Sequence, residues 1–190
     1  MVGGKLLDYT CTLTSPTVTV IKVKCLFNSV VLIPKEKCAT ANVKHFYLNN
    51  DLPDPEYMKM HIYMIPDKIC NEYNINDFVD SKSWVYIKTY KDKYGLRHVG
   101  IITNQELTKH IKSYGYVLVR CTPGLWKHTQ KDILFVLVVD DFSSKYISKE
   151  DADHLMEVLR DKYAILVDWE ASLYIDITPA QDCDKMTVTL

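Results

Sequence analysis

A chain of 190 residues with 47% hydrophobic content is long and apolar enough for one domain, 1–190, with a proper core. No apolar run approaches the ~20 residues of a membrane span. Met1-Val2-Gly3-Gly4-Lys5 lacks the order of a signal peptide. An intracellular protein without a membrane partner is expected, cytoplasmic or nuclear. The net charge of −1 hides an asymmetry: residues 82–131 set ten Lys or Arg against Asp92 and Glu106, a net +8, while 132–190 net −8. That pattern suits a polyanion on one surface and metal near another, or simply two solvated faces of opposite sign.

Residues 1–16 read as a loop or edge strand. Val18, Ile21, Cys25, Leu26, Val30 and Ile33 lie near helical spacing, and Pro34 breaks that helix. Lys37 to Leu48 reads as a strand leading into a turn, and Tyr57 to Met64 as a second strand. Pro66 opens a short helix over Asp67 to Tyr73, and Trp84 to Lys88 is a strand. Tyr94-Gly95-Leu96 is a turn; Val99 to Tyr114 is a helix that Gly115 stops. Tyr116 to Arg120 and Leu125 to His128 are short strands.

Phe135-Val136-Leu137-Val138-Val139 then runs into Asp140-Asp141. A buried strand ending in paired carboxylates is costly unless a cation or an exposed turn relieves the repulsion. Neighbouring strand residues face opposite ways, so a turn must follow if both acids are to reach one site. Ser143 and Ser144 suit that turn, with Lys145 to Ile147 returning. Such a hairpin tip offers hard oxygen ligands of the kind Mg²⁺ takes; a plain surface turn has the same pattern. Ser148 and Asp151 open a helix whose apolar face is Ala152, Leu155, Met156, Leu159 and Tyr163. Strands over Ile165 to Asp168, Ser172 to Ile177 and Met186 to Leu190 complete an α+β fold, an antiparallel sheet with helices packed on one face.

Other constellations are weaker. The six cysteines form no CxxC and no zinc spacing with His, so reduced thiols are expected. Asp151, Asp153 and His154 sit in a helix's first turn, where acids favour the dipole. Trp84, Trp126 and Trp169 lie in or beside apolar runs and read as core rather than as base-stacking groups. No phosphate-binding loop occurs.

Taken together, Thr40-Ala41-Asn42-Val43, His45-Phe46-Tyr47, Tyr94-Gly95-Leu96-Arg97-His98-Val99-Gly100, Pro123-Gly124-Leu125-Trp126, Val138-Val139-Asp140-Asp141 and Asp168-Trp169-Glu170 stand in a familiar order. The chain resembles the reverse transcriptases of retrotransposon Pol polyproteins over roughly residues 3–190. The resemblance implies a polymerase palm with part of the fingers, lacking thumb and RNase H. It implies catalytic, metal-binding roles for Asp140 and Asp141, with Mg²⁺ or Mn²⁺ as cofactor. It implies nucleotide contacts from Val43, Tyr47, His98 and Gly100. Tyr47 would exclude a 2′-hydroxyl by bulk, or it is a packed strand residue. Lys88, Lys91, Lys93 and Arg97 would meet phosphates of an RNA template and DNA primer. The remaining Pol domains would be partners.

Departures from the pattern decide what to expect. Asn42 stands where the first motif offers a metal-binding Asp, and a neutral amide is a poorer ligand for a hard dication. Arg97-His98 replaces a Pro-Gln pair, Val139 replaces an aromatic, and Asp176 stands near a position often held by Gly. The expectation is an RNA-directed DNA polymerase that is inactive or weak, or else a non-catalytic relic that binds nucleic acid.

Overall fold

In chain order the elements are α1 (Val20–Val30), β1 (Lys37–Val43), β2 (Asp51–His61), α2 (Asp67–Glu72), β3 (Trp84–Lys91), α3 (Val99–Ser113) and β4 (Tyr116–Leu118). They continue with β5 (Leu125–His128), β6 (Ile133–Val138), β7 (Asp141–Tyr146), α4 (Lys149–Arg160), β8 (Ile165–Asp168), β9 (Ala180–Asp182) and β10 (Thr187–Thr189). The computed structural model describes residues 18–49, 51–91, 99–182 and 187–189. The loop or edge strand expected at 1–16 and the turn expected at Tyr94-Gly95-Leu96 lie outside them. Two compact units result, a smaller one within 47–99 and a larger one formed by the flanking segments.

The larger unit is built on an antiparallel sheet of six strands in the order β4-β5-β6-β7-β1-β8. Register assigns the faces. Phe135 pairs with Ser144, Leu137 with Phe142 and Ala41 with Phe142, so these side chains share one face. Val136 pairs with Ser143, Thr40 with Ser143 and Asn42 with Asp141 on the other.

The Phe135 face is apolar and carries two helices. Phe135 and Phe142 are fully buried with ring centroids 5.6 Å apart. Tyr116 joins them at 5.6 Å from Phe135 and places its hydroxyl 3.0 Å from His154 Nδ1 in α4. Helix α4 begins where expected: the Ser148 Oγ accepts from the Asp151 N–H at 3.4 Å, and Ala152, Leu155, Met156 and Leu159 are buried. Asp151 pairs with Lys131 at 3.3 Å, a structural role for that acid. Helix α3 is tied to α4 by His110 Nε2, 2.7 Å from the Val158 carbonyl, and to the turn just after α4 by the Lys162–Glu106 pair at 3.0 Å.

Helix α1 covers part of the opposite face. Val23, Leu26, Phe27 and Val30 recur three and four apart, and they pack with Cys38, Val136, Ala171 and Tyr174. The antiparallel α+β sheet is as the sequence indicates, with α3 and α4 on one face and α1 an addition on the other.

Three sequence expectations fail locally. The hairpin turn is Val139-Asp140, because Val138 and Asp141 form the last ladder pair. Ser143 and Ser144 therefore lie inside β7, 0% and 1% exposed. Serine's turn preference gives way to burial between β6 and β1, where the Ser144 hydroxyl donates to the Ala39 carbonyl at 3.1 Å. Ser172 to Ile177 is a tight reversal instead of a strand: Tyr174 and Ile177 exchange N–H···O bonds of 2.8 Å around Ile175 and Asp176, both at positive φ. Asp176, at φ 61° and exposed, thus occupies a conformation that favours glycine. Finally, β2 starts at Asp51, ahead of Pro53 and Pro55; its register with β3 shifts between Asp51 and Glu56, the irregularity that tolerates proline.

The smaller unit is the β2–β3 hairpin with α2 beside it. Its core is Ile65, Cys70 and Val85, packed by Met60, Ile62, Ile75 and Ile87. Of the tryptophans, Trp126 is core, at 4% exposure, but Trp84 lies on the hairpin face away from this cluster.

Candidate functional site

Strand β1 runs inside the sheet between β7 and β8, and its small apolar Ala39, Ala41 and Val43 fill the face that carries α3 and α4. Alternation then sends Thr40 and Asn42 to the other face. Asn42 is directly opposite Asp141 across the β1–β7 ladder, and its Nδ2 donates to Asp141 Oδ1 at 2.8 Å. The Val43 N–H donates to the Asp140 carbonyl at 2.9 Å, and the Tyr174 hydroxyl donates to the Asp141 carbonyl at 3.1 Å. The main chain of the paired aspartates is thereby fixed from two sides. Tyr174 is 2% exposed, and burial pushes its phenol up from the ordinary range, so it acts as a donor at every physiological pH.

The hairpin tip stores backbone strain. Val139 adopts φ 58°, unfavourable for a β-branched residue, with its side chain 40% exposed. Val139→Gly is expected to raise stability by about 0.5–1 kcal/mol, relief of strain outweighing glycine's entropy. Urea denaturation with an unchanged slope would register it.

Asp168, on the edge strand β8 opposite Thr40, closes the loop that carries Tyr174. Its Oδ2 accepts from the Ser172 hydroxyl at 2.6 Å and the Ser172 N–H at 2.7 Å, and its Oδ1 accepts from the Glu170 N–H at 3.0 Å. The Ser172 hydroxyl, and then these amides, hold the carboxyl below its usual range against the opposing effect of burial. A depressed carboxyl contributes stability above its unfolded pKa and loses it as pH falls through the folded value. Ser172→Ala should therefore cost about 1 kcal/mol at pH 7, and the gap from native should close in acid below the ordinary Asp range. Thermal melts against pH would show it.

Thr40, Asn42, Asp141, Asp168, Leu173 and Asp176 line an open cleft of about 560 Å³. Among the described residues, no three His, Cys, Asp or Glu are grouped to hold a metal ion. Asn42 also aims an N–H at an Asp141 oxygen that an ion would need. Of the paired aspartates it is Asp141 that lines the cleft, and a carboxylate already bound by a donor-bearing amide does not fit a two-ion centre as it stands.

The sequence candidates thus separate. Asn42 and Asp141 meet through their side chains, while Val43 and Asp140 join through the main chain, Val43 by its N–H and Asp140 by its carbonyl. Gly100 lies in the first turn of α3. Tyr47 opens a short 3₁₀ turn in the smaller unit, half-buried. Lys88 and Lys91 lie on β3, Lys91 paired with Asp51 at 2.7 Å. Lys93, Gly95, Arg97 and His98 lie outside the described residues. Sequence reasoning missed Tyr174 and the capping role of Asp168; Ser172 four residues after Asp168 was the one available signal.

No family model matches this chain, and no curated protein does. Among solved structures, apo telomerase from Candida tropicalis, truncated from its C-terminal domain, is similar at 12% identity and a TM-score of 0.46, over 92% of this chain and 40% of that one. Telomerase from Candida albicans in complex with a fragment of telomeric RNA is similar at 13% identity and a TM-score of 0.39, over 85% and 32% respectively. The chain spans less than half the length of either. Among the described residues, no helix is long and apolar enough to cross a membrane.

Proposed function

We propose that this chain is a degenerate reverse-transcriptase-type palm, derived from a retrotransposon Pol protein, in which Asn42 disables nucleotidyl transfer. The observation that carries the reading is the 2.8 Å contact between Asn42 Nδ2 and Asp141 Oδ1. Residues 99 positions apart in sequence meet on an open sheet face, where the family pattern needs its first-motif acid to meet the paired acids. A divalent ion held there would polarise the transferred phosphoryl group and neutralise developing charge. With an amide in place of one carboxylate, one unit of negative charge is missing, and the amide N–H binds Asp141 instead. Val43 and Tyr174 still hold the hairpin in place, so the scaffold outlives the chemistry. Template RNA, primer DNA, a nucleoside triphosphate and further Pol domains are the partners this reading implies.

Primer extension on an RNA template with Mg²⁺ or Mn²⁺ tests it. Native protein should give no product above background, and Asn42→Asp should gain extension or, at the least, tighter Mn²⁺ binding. A variant that gains neither is not a repaired palm. A second reading, a non-catalytic nucleic-acid-binding domain, is favoured by the β2–β3 hairpin, where Tyr57, Tyr86 and Tyr90 are exposed with Lys59 and Lys88 among the rings.

A further inference from the structure

The β2–β3 hairpin has two unlike faces. One is apolar, with Met60, Val85 and Ile87 packed in the core of the smaller unit. On the other, register places His61 opposite Trp84, Lys59 opposite Tyr86 and Tyr57 opposite Lys88, with Tyr90 next along β3. Tyr57, Tyr86 and Tyr90 are 63%, 58% and 58% exposed, far more ring surface than the fold uses. The two lysines lie among the rings. Lys59 Nζ is 4.8 Å from the Trp84 ring centre and 5.7 Å from that of Tyr86; Lys88 Nζ is 5.0 Å from Tyr90 and 6.0 Å from Tyr57. Hydrogen bonding to Tyr90 and the neighbouring phenols hold the Lys88 ammonium in its charged form.

None of these strand positions bears a carboxylate. Asp80, which acts on Lys59 and His61 from the Trp84 end, is already occupied by the Lys82 and Trp84 N–H groups. Asp51 pairs with Lys91. A face of flat rings interleaved with ammonium groups matches a polyanion that also carries flat rings. An acidic peptide would use the lysines and leave the tyrosines idle, and an aliphatic partner would leave the lysines unpaired. Side chains on one face of a strand recur every ~6.8 Å, a repeat that an extended single strand can follow. A duplex hides its base faces and cannot stack on them.

We propose that this outer face is a platform for single-stranded nucleic acid, with bases stacking on Tyr57, Tyr86 and Tyr90 and phosphates meeting Lys59 and Lys88. The site lies wholly within the smaller unit; it rests on the nucleic-acid-binding reading, names the form of nucleic acid, and does not depend on the palm.

Fluorescence anisotropy with labelled oligo-dT of about 16 nucleotides tests it. The full chain should bind the single strand at least tenfold more tightly than a duplex of equal length. Tyr57→Ala with Tyr86→Ala should weaken binding roughly tenfold or more. Tyr57→Leu with Tyr86→Leu, which keeps apolar bulk at these exposed positions, should weaken it similarly. Lys59→Gln with Lys88→Gln should flatten the dependence of log affinity on log salt by about 1.4, the share of two single-strand phosphates. The same values should be obtained in EDTA, where no divalent ion can occupy the Asp141 cleft, which separates a failure here from a failure of the palm. Equal affinity for the duplex, tyrosine variants that bind as native, or full competition by heparin or anionic vesicles at matched charge would overturn the proposal.

Discussion

Asn42→Asp should destabilise the metal-free protein by about 2 kcal/mol at neutral pH, and a divalent ion should restore the loss. In the native chain, Asn42 gives a charge-assisted hydrogen bond of 2.8 Å to Asp141, worth about 1.5–3 kcal/mol net. The variant loses that bond and sets a second carboxylate against the first, and both positions are half-buried. Like charges so close cannot both ionise at ordinary pH without cost, so the pair should take up a proton and titrate as a unit. The destabilisation should therefore be largest above the ordinary carboxylate range and shrink as pH falls through it. Mn²⁺ at a hundred times its dissociation constant would return about 2.7 kcal/mol to the variant. Melts in EDTA and in Mn²⁺ show both halves of the effect. Equal stability of native and variant in EDTA, or an equal Mn²⁺ shift in both, would contradict this picture of the site.

The second large effect concerns a buried ion pair in the same sheet. Lys145 projects from β7 on the α1 side, beside Cys38, and its Nζ lies 3.1 Å from both oxygens of Glu36. The two side chains are only 10% and 8% exposed. Removing one partner strands the other as an uncompensated buried charge. Glu36→Gln and Lys145→Met should each cost about 3–5 kcal/mol by urea denaturation. Replacing both, with Glu36→Leu beside Lys145→Met, should recover most of that loss, because burying the pair also carries a desolvation cost. A double variant as unstable as the sum of the singles would show instead that the pair shapes the fold through contacts beyond itself.

Residues whose packing and local preference agree were legible from sequence. Helix α4 has a capping serine, acids in its first turn and one apolar stripe, and each signal points to the same start and face. Strand β6 is apolar throughout because helices cover both of its faces. The misreadings fall where tertiary contacts override preference. Ser143 and Ser144 carry turn chemistry but sit buried in β7, paired on both sides by β6 and β1. Ile175 takes positive φ against its β-branched nature because it is the first central residue of the two-residue reversal between Tyr174 and Ile177. At the site, the resemblance flagged Asn42 as out of pattern, and the fold then set it opposite Asp141. The Asp168 cap had no signal beyond Ser172 four residues on, because an acid at a strand end reads alike whether it binds a metal or its own loop.

Diffraction at the manganese absorption edge, from Mn²⁺-soaked crystals of the native protein and of Asn42→Asp, tests the disabled centre most directly. The expected result is an anomalous peak bound by Asp140, Asp141 and the introduced carboxylate in the variant, and none there in the native crystal. A peak of equal strength in both, or no peak at those residues in the variant, would contradict it.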